Sequence, residues 1–238
     1  MRPRLLLFFE YGTLNGGEFS LLAMLERLGQ TVEFVAAAPQ SGMLTGRLEQ
    51  LGMRVLALSL RDAQGQKRPM EQINAHLLEL IAQVSPDLVH ANSLAMGRML
   101  GRIAPQLSIP CTSHLRDIIK LTKTAVSDLN RNAGLIAVSQ ATKQFHHEQG
   151  VLSDKLQVIY NGVDMDVFRP THPSTRLKQA LGLDAVTILV ANIGQICLRK
   201  GQSLLAQAAV SLAQDFPKAH YLFIGERHSQ KQESIAYE

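Results

Sequence analysis

The sequence predicts the α/β class, with a doubly wound parallel sheet built by residues 1–170 and an incomplete second unit of the same kind over residues 171–238. Two observations lead there. Short, continuous apolar runs recur between segments of helical period, which is how strands read when crossover helices bury them on both faces. The series breaks at Asn161-Gly162 and Pro170 and restarts beyond Pro173. With 46% hydrophobic and 18% charged residues, the chain has a globular composition and no low-complexity segment.

Residues 5–9, LLLFF, form the first strand. Arg2 and Arg4 precede the run, but Glu10 interrupts it and no small-residue cleavage site follows, so a buried strand is a better reading than a signal peptide. The loop 11–17 leads into a helix whose apolar positions include Phe19, Leu22, Leu25 and Leu28. Residues 31–37 are the second strand, 44–51 a short helix and 54–58 the third strand. After the polar loop 61–68, Pro69 opens a helix with Ile73, Leu77, Leu80 and Ile81 on one face. Residues 87–90 read as a strand, 93–104 as a helix and 109–113 as a strand. Gly134 precedes the strand 135–138, and Ser139 caps a helix through Thr142, Phe145 and His146 that Gly150 closes. Residues 155–160 make a last short strand. Asn161-Gly162 then suits a turn with positive φ, and Pro170 stops regular structure.

Beyond Pro173, residues 177–181 read as a short helix, 186–192 as a strand, 194–200 as a loop, 202–214 as a helix and 219–224 as a strand, followed by the polar tail RHSQKQESIAYE. So small a unit buries too little surface to stand as a domain of ordinary size, and Leu189, Leu205 and Phe223 are expected to be exposed.

The stretch 135–170 is the most specific part of the chain. Val138-Ser139, Gly150, Val158-Ile159-Tyr160-Asn161-Gly162-Val163-Asp164 and Phe168-Arg169-Pro170 follow one another at a spacing that resembles the interdomain signature of the retaining glycosyltransferases of family 4. The resemblance implies the two-domain GT-B fold: residues 1–170 as the N-terminal Rossmann-like domain, and 171–238 as the truncated start of the nucleotide-sugar-binding domain. It implies transfer of a sugar from a nucleotide-diphospho-sugar to an acceptor hydroxyl with retention, in cell-envelope, polysaccharide or glycolipid synthesis, with no cofactor and no catalytic metal. The acceptor would be a saccharide or a lipid-linked one, and since many relatives glycosylate lipids or lipid-linked saccharides, peripheral contact with the inner face of a membrane is an expectation of the resemblance. Asn161 to Asp164 themselves read as a turn that identifies the fold without doing its chemistry.

Charge narrows little. The formal charge is +4 and the pI about 9.2, with no block of Lys or Arg to suggest a nucleic-acid tail. A mildly basic surface suits an anionic donor or an anionic membrane face. No segment approaches the roughly 18 to 20 apolar residues that span a bilayer. Cys111 and Cys197 make neither a disulfide framework nor a metal-ligand spacing; they read as reduced thiols, and the expected compartment is the cytoplasm.

Three segments could carry chemistry. Asn15-Gly16-Gly17-Glu18 lies between the first strand and helix, where paired glycines let a phosphate approach backbone N–H groups at a helix N-terminus. The plain alternative is a strand-to-helix connection, and the loop does not complete the Gly-x-Gly-x-x-Gly of a dinucleotide site. It is similar to the family's Gly-Gly-x-Glu, which implies a role for Gly16 and Gly17 against the donor diphosphate. Ser113-His114-Leu115-Arg116-Asp117 ends a strand, where an imidazole can donate a hydrogen bond to a hydroxyl with Arg116 and Asp117 beside it. Taken alone, His114 reads as a satisfied surface histidine rather than a catalytic one; the family's matching segment implies contact with the transferred sugar. His90, in Pro86-Asp87-Leu88-Val89-His90, matches another family pattern but is explained by strand packing, and His146-His147 read as solvated helix residues.

The third segment, residues 194–201, resembles the family's Gly-Arg-x-x-x-x-Lys-Gly, which implies that Lys200 stabilises the donor diphosphate. Gln195 stands where that pattern has Arg, so one positive charge is missing. The family's Glu-x7-Glu segment is not reached. A noncatalytic acceptor-binding or remnant domain is therefore the alternative to an enzyme, and sequence continuing past Glu238 would favour the enzyme.

Overall fold

The computed structural model describes residues 2–172, 174–227 and 235–237; Pro173 and most of the polar tail lie outside these. The chain divides into two compact units, Met1–Arg169 and Pro170–Glu238.

The first unit alternates strand and helix: β1 (Arg4–Phe8), α1 (Gly16–Leu28), β2 (Glu33–Ala38), α2 (Met43–Gln50), β3 (Arg54–Ala57), α3 (Met70–Val84), β4 (Leu88–Ala91), α4 (Leu94–Ile103), β5 (Cys111–Leu115), α5 (Lys123–Asn130), β6 (Gly134–Ala137), α6 (Gln140–Glu148) and β7 (Leu156–Val158). All seven strands are parallel, in the order β3-β2-β1-β4-β5-β6-β7. The order reverses between β1 and β4. In such sheets the crevice beyond the carboxyl ends of those strands is the place where ligands bind.

Strand alternation assigns the core to two faces. Leu6 and Phe8 of β1, with Val89 and Ala91 of β4, meet Ile73, Leu77, Leu80 and Ile81 of α3 and Met96, Leu100 and Ile103 of α4. On the opposite face Leu7, Phe9, Phe34 and Ala36 meet Leu21, Leu22 and Leu25 of α1 and Leu44 and Leu48 of α2. A third cluster, with Leu115, Leu129, Leu135 and Leu156, closes the β5–β7 end. Helix α4 lies unusually close to its neighbours: a Cβ at Gly97 would stand 2.0 Å from Ser113 Oγ, and one at Gly101 1.8 Å from the Asp128 carbonyl.

Several local expectations change. Helix α5 was not legible, because its eight residues offer only a short apolar face and its start is marked by a single cap, the Thr122 hydroxyl accepting from Ala125 N–H. Strand β5 begins at Cys111 and runs to Leu115, later than residues 109–113, so His114 lies inside the strand. Gly162 does not take the left-handed conformation foreseen for the Asn-Gly turn.

The second unit contains α7 (Arg176–Ala180), β8 (Ile188–Ile193), α8 (Gln202–Leu212) and β9 (Ala219–Ile224), with β8 and β9 parallel and in register from Ile188↔Ala219 to Ile193↔Ile224. Phe223 is exposed as expected, whereas packing among β8, α8 and β9 leaves Leu189 and Leu205 half-buried.

Candidate functional site

The crevice at the strand reversal is built from the ends of β1, β4 and β5 and the start of α1. Asn15 precedes α1, and its backbone N–H donates to the Glu18 carboxylate at 3.0 Å, an acidic first turn that also suits the helix dipole. Glu18 is buried and its other oxygen accepts from Asn92 Nδ2, just past β4, at 3.4 Å. Gly16 and Gly17 are the first residues of α1 and differ in surroundings. A Cβ at Gly16 would meet nothing within 4 Å among the described residues, whereas at Gly17 it would stand 3.0 Å from Arg116 Cδ. Gly17 is small because Arg116 lies across it.

Arg116 connects the crevice walls. Its Nε and Nη2 donate side by side to the Asn92 carbonyl (3.3 Å) and Asn92 Oδ1 (2.8 Å), and its Nη1 donates to Asn161 Oδ1 at 3.3 Å. Ser20 of α1 donates to the same Asn161 oxygen at 2.7 Å. Burial pulls the Arg116 pKa down, opposed by the charges of Glu18 and Asp117. The guanidinium nevertheless stays charged at neutral pH. Among the described residues all its hydrogen-bond partners are neutral oxygens, and one N–H on each terminal nitrogen is left over.

His114 is buried rather than lying on the surface. Its Nδ1 is 2.8 Å from His90 Nε2, and His90 Nδ1 is 2.8 Å from Thr112 Oγ1. The two rings meet edge to face, with centroids 4.9 Å apart. Burial first, then neighbouring positive charge from Arg116, holds the His90 pKa below the ordinary histidine range. Burial, His90 and Arg116 in that order do the same for His114. Both imidazoles are neutral at pH 7. Strand packing alone therefore does not account for His90, which braces His114. The expectation for His146 is also corrected: it is fully buried and its Nε2–H donates to the Asp117 carbonyl at 2.8 Å, tying α6 to the loop after β5.

A cleft of about 340 Å³ opens over these groups, walled by Ser20, Met24, His114, Arg116, Tyr160 and Asn161. Its lining is mostly apolar, with His114, Arg116 and Asn161 among its polar groups and charges of both signs at Arg27, Glu26 and Asp164. The segment after β7 is thus more than a turn, since Asn161 holds Arg116 and Asp164 pairs with Arg27 at 3.2 Å. A second hollow of about 470 Å³, lined by Tyr11, Ser41, Arg61 and Lys67, holds none of the residues singled out in the sequence. Among the described residues no three His, Cys, Asp or Glu side chains converge to hold a metal, and no helix is long and apolar enough to cross a membrane. Both cysteines are free thiols.

Gln195 and Lys200 belong to the second unit. Lys200 ends a single 3-10 turn, Leu198–Lys200, and its methylene stem passes over Gly194, 3.5 Å from where a Cβ would sit. Its side chain is exposed, and no hydrogen bond or ion pair engages its ammonium among the described residues. The Gln195 carbonyl accepts from Gln202 Nε2 at 2.9 Å, which ties the loop to the start of α8. The structure thus brings Gly17 and His114 around Arg116, and groups Gln195 with Lys200 separately.

Residues 15–167 match the profile of Glycosyltransferase Family 4, more than half of the chain. A D-inositol 3-phosphate glycosyltransferase from Xylanimonas cellulosilytica is 27% identical, with 86% of this chain aligned to 56% of the relative. The chain therefore spans little more than half the length of that relative. Among solved structures, HepE from Anabaena in complex with UDP superposes with a TM-score of 0.79 at 24% identity, covering 98% of this chain and 64% of that one. Sucrose-phosphate synthase from Thermosynechococcus elongatus superposes with a TM-score of 0.69 at 14% identity, covering 99% and 65%. At these identities the superpositions establish the fold alone.

Proposed function

The chain belongs to Glycosyltransferase Family 4, and on that premise we propose that it is the acceptor-side domain, with the opening of the donor-side domain, of a retaining sugar transferase. Such an enzyme moves a sugar from a nucleotide-diphospho-sugar to an acceptor hydroxyl with no resident cofactor or metal. The observation that carries this reading is the cleft beside the strand reversal, where His114, Arg116, the α1 face from Ser20 to Arg27 and the segment after β7 converge inside the matched region. A neutral imidazole is suited to orienting a sugar hydroxyl, and open space at Gly16 leaves the α1 N–H groups accessible to a diphosphate. The unspent N–H groups of Arg116 suit a phosphate oxygen as well. UDP and UDP-glucose occupy the HepE structures, which makes a uridine diphosphate sugar the first donor to try. The curated relative's name makes a phosphorylated polyol the first acceptor, with saccharide and lipid-linked acceptors next. Its place would be the cytoplasm, at the inner face of a membrane if the acceptor is lipid-linked.

Lys200 would stabilise the departing diphosphate from the second domain, with Gln195 beside it as a neutral hydrogen-bonding partner. The two-stranded second unit favours a companion reading for the chain as it stands: it binds acceptor and turns over little. Assaying UDP-glucose against a panel of these acceptors, with the 238-residue chain and with a chimera whose second domain is completed from a family member, tests both. Transfer by the chimera alone is expected. No transfer by the chimera with any nucleotide sugar, despite a folded first domain, would sink the enzyme reading.

A further inference from the structure

His90 and Thr112 are opposite each other in the parallel β4/β5 register, and His114 follows Thr112 by two residues on the same strand. All three side chains therefore rise from one face of the sheet, the face covered by α1. Their polar atoms form an unbroken line. Thr112 Oγ1 is 3.4 Å from the Val89 carbonyl and 2.8 Å from His90 Nδ1, and His90 Nε2 is 2.8 Å from His114 Nδ1. His114 Nε2, the far end, has no hydrogen-bond partner among the described residues, and His114 lines the cleft.

Only one arrangement of protons keeps every contact. The Val89 carbonyl can only accept, so the single Thr112 hydroxyl proton must point to it. The hydroxyl oxygen then accepts from His90 Nδ1–H. A neutral His90 with its proton on Nδ1 has a bare Nε2, which accepts from His114 Nδ1–H. The alternative turns the hydroxyl toward His90, gives up the Val89 contact, and reverses every donor along the line. Burial and the charge of Arg116 keep both rings neutral, so these two tautomer pairs are the only states that compete near pH 7.

We propose that Thr112 and His90 are positioning residues that set His114 in its Nδ1–H tautomer, so that the nitrogen offered to the cleft is an unprotonated Nε2 that accepts a hydrogen bond. This reverses the donor role foreseen for His114 from the sequence. If the cleft takes a sugar, as proposed above, the atom that meets His114 is a hydroxyl acting as donor. A phosphate or carbonyl oxygen placed there would face the nitrogen lone pair without a proton between them.

Long-range ¹H–¹⁵N correlation spectra of the histidine-labelled chain near pH 7 read the tautomer directly, with His114 assigned by the signals lost in His114→Gln. The wild-type chain should show a protonated Nδ1 and an unprotonated Nε2 at His114. Thr112→Val removes the acceptor for His90 Nδ1–H; His90 then carries its proton on Nε2, and the His114 pattern inverts. Thr112→Ser keeps the hydroxyl and the wild-type pattern. A wild-type His114 protonated on Nε2 overturns the proposal by itself, even if Thr112→Val fails to fold. So does a folded Thr112→Val that leaves the pattern unchanged, or a Thr112→Ser that inverts it. No ligand is needed, so the outcome is independent of whether the cleft binds a sugar.

Discussion

The two units of this chain use the same strand–helix–strand grammar and reach different physical states. In Met1–Arg169 the seven-stranded sheet has helices on both faces, and Leu6, Phe8, Leu77 and Leu100 are wholly buried. In Pro170–Glu238 the two strands are equally well paired, yet among the described residues no apolar side chain is fully buried, and Ile193 and Val210 are 74% and 79% exposed. Strand register is thus regular in both, while wholly buried apolar side chains occur in only one. Since apolar burial supplies most of the favourable free energy at roughly 25 cal/mol per Å², a correct local pattern does not by itself stabilise a domain.

The sharpest break in the comparison is functional. In a chimera with a completed second domain, Lys200→Ala should lower turnover by about two to three orders of magnitude, through loss of one preorganised charge. Steady-state kinetics check this, and wild-type turnover in the variant would remove Lys200 from the mechanism. The 238-residue chain itself should show transfer near background.

Next in size is a paired truncation. Leu100→Ala should destabilise the first unit by about 2 to 5 kcal/mol, because Leu100 is wholly enclosed by the α3–α4 side of the core. Leu205→Ala in the half-buried α8 should cost under about 1 kcal/mol. Urea unfolding followed by hydrogen exchange resolves the two, with slow amides expected in β1 and β4 and fast ones in β8 and β9. Comparable protection in both units would mean that exposure has been misread as weakness.

The glycine pair gives a finer contrast within the first unit. Gly17→Val should cost about 1 to 3 kcal/mol, since the new side chain must displace Arg116. At Gly16 a Cβ has open space among the described residues, so Gly16→Val should leave the melting temperature within a few degrees of wild type. Gly16→Val should instead weaken ligand binding at the start of α1, measurable by calorimetry with UDP-glucose. Unaltered affinity would reduce the Gly16-Gly17 loop to a connection.

A last contrast is one of pH. His90 and His114 have folded pKa values below the ordinary 6.5, so below that pH the unfolded chain takes up protons that the folded chain refuses. Stability is then fully present above about pH 6.5 and falls as the pH drops toward the folded values, by up to about 1.4 kcal/mol per pH unit for each ring. Chemical denaturation between pH 7 and pH 5 should show this loss, and His90→Gln should flatten it. A slope unchanged in the variant would assign the acid sensitivity elsewhere.

Most of the fold could be read locally. Apolar runs place β1, β4 and β6, Ser139 and Pro69 mark helix starts, and the segment from Val138 to Pro170 carries the family signature. Such features depend on each residue's own conformational preference and on the period of its neighbours. Helix α5 escaped because a single cap and a short apolar face are weak signals.

The site, in contrast, was legible only as candidate residue types. His114 stood out, but its burial, its neutral state and its partner did not, and Arg116 gave no hint that it would lie across Gly17 and reach Asn161, 45 positions away. Those facts follow from the parallel register that sets His90 opposite Thr112 and from the strand order that places β4 beside both β1 and β5. Periodicity settles which face of an element is apolar. Which polar atoms meet on that face depends on how strands distant in sequence are aligned, and only the tertiary structure decides it.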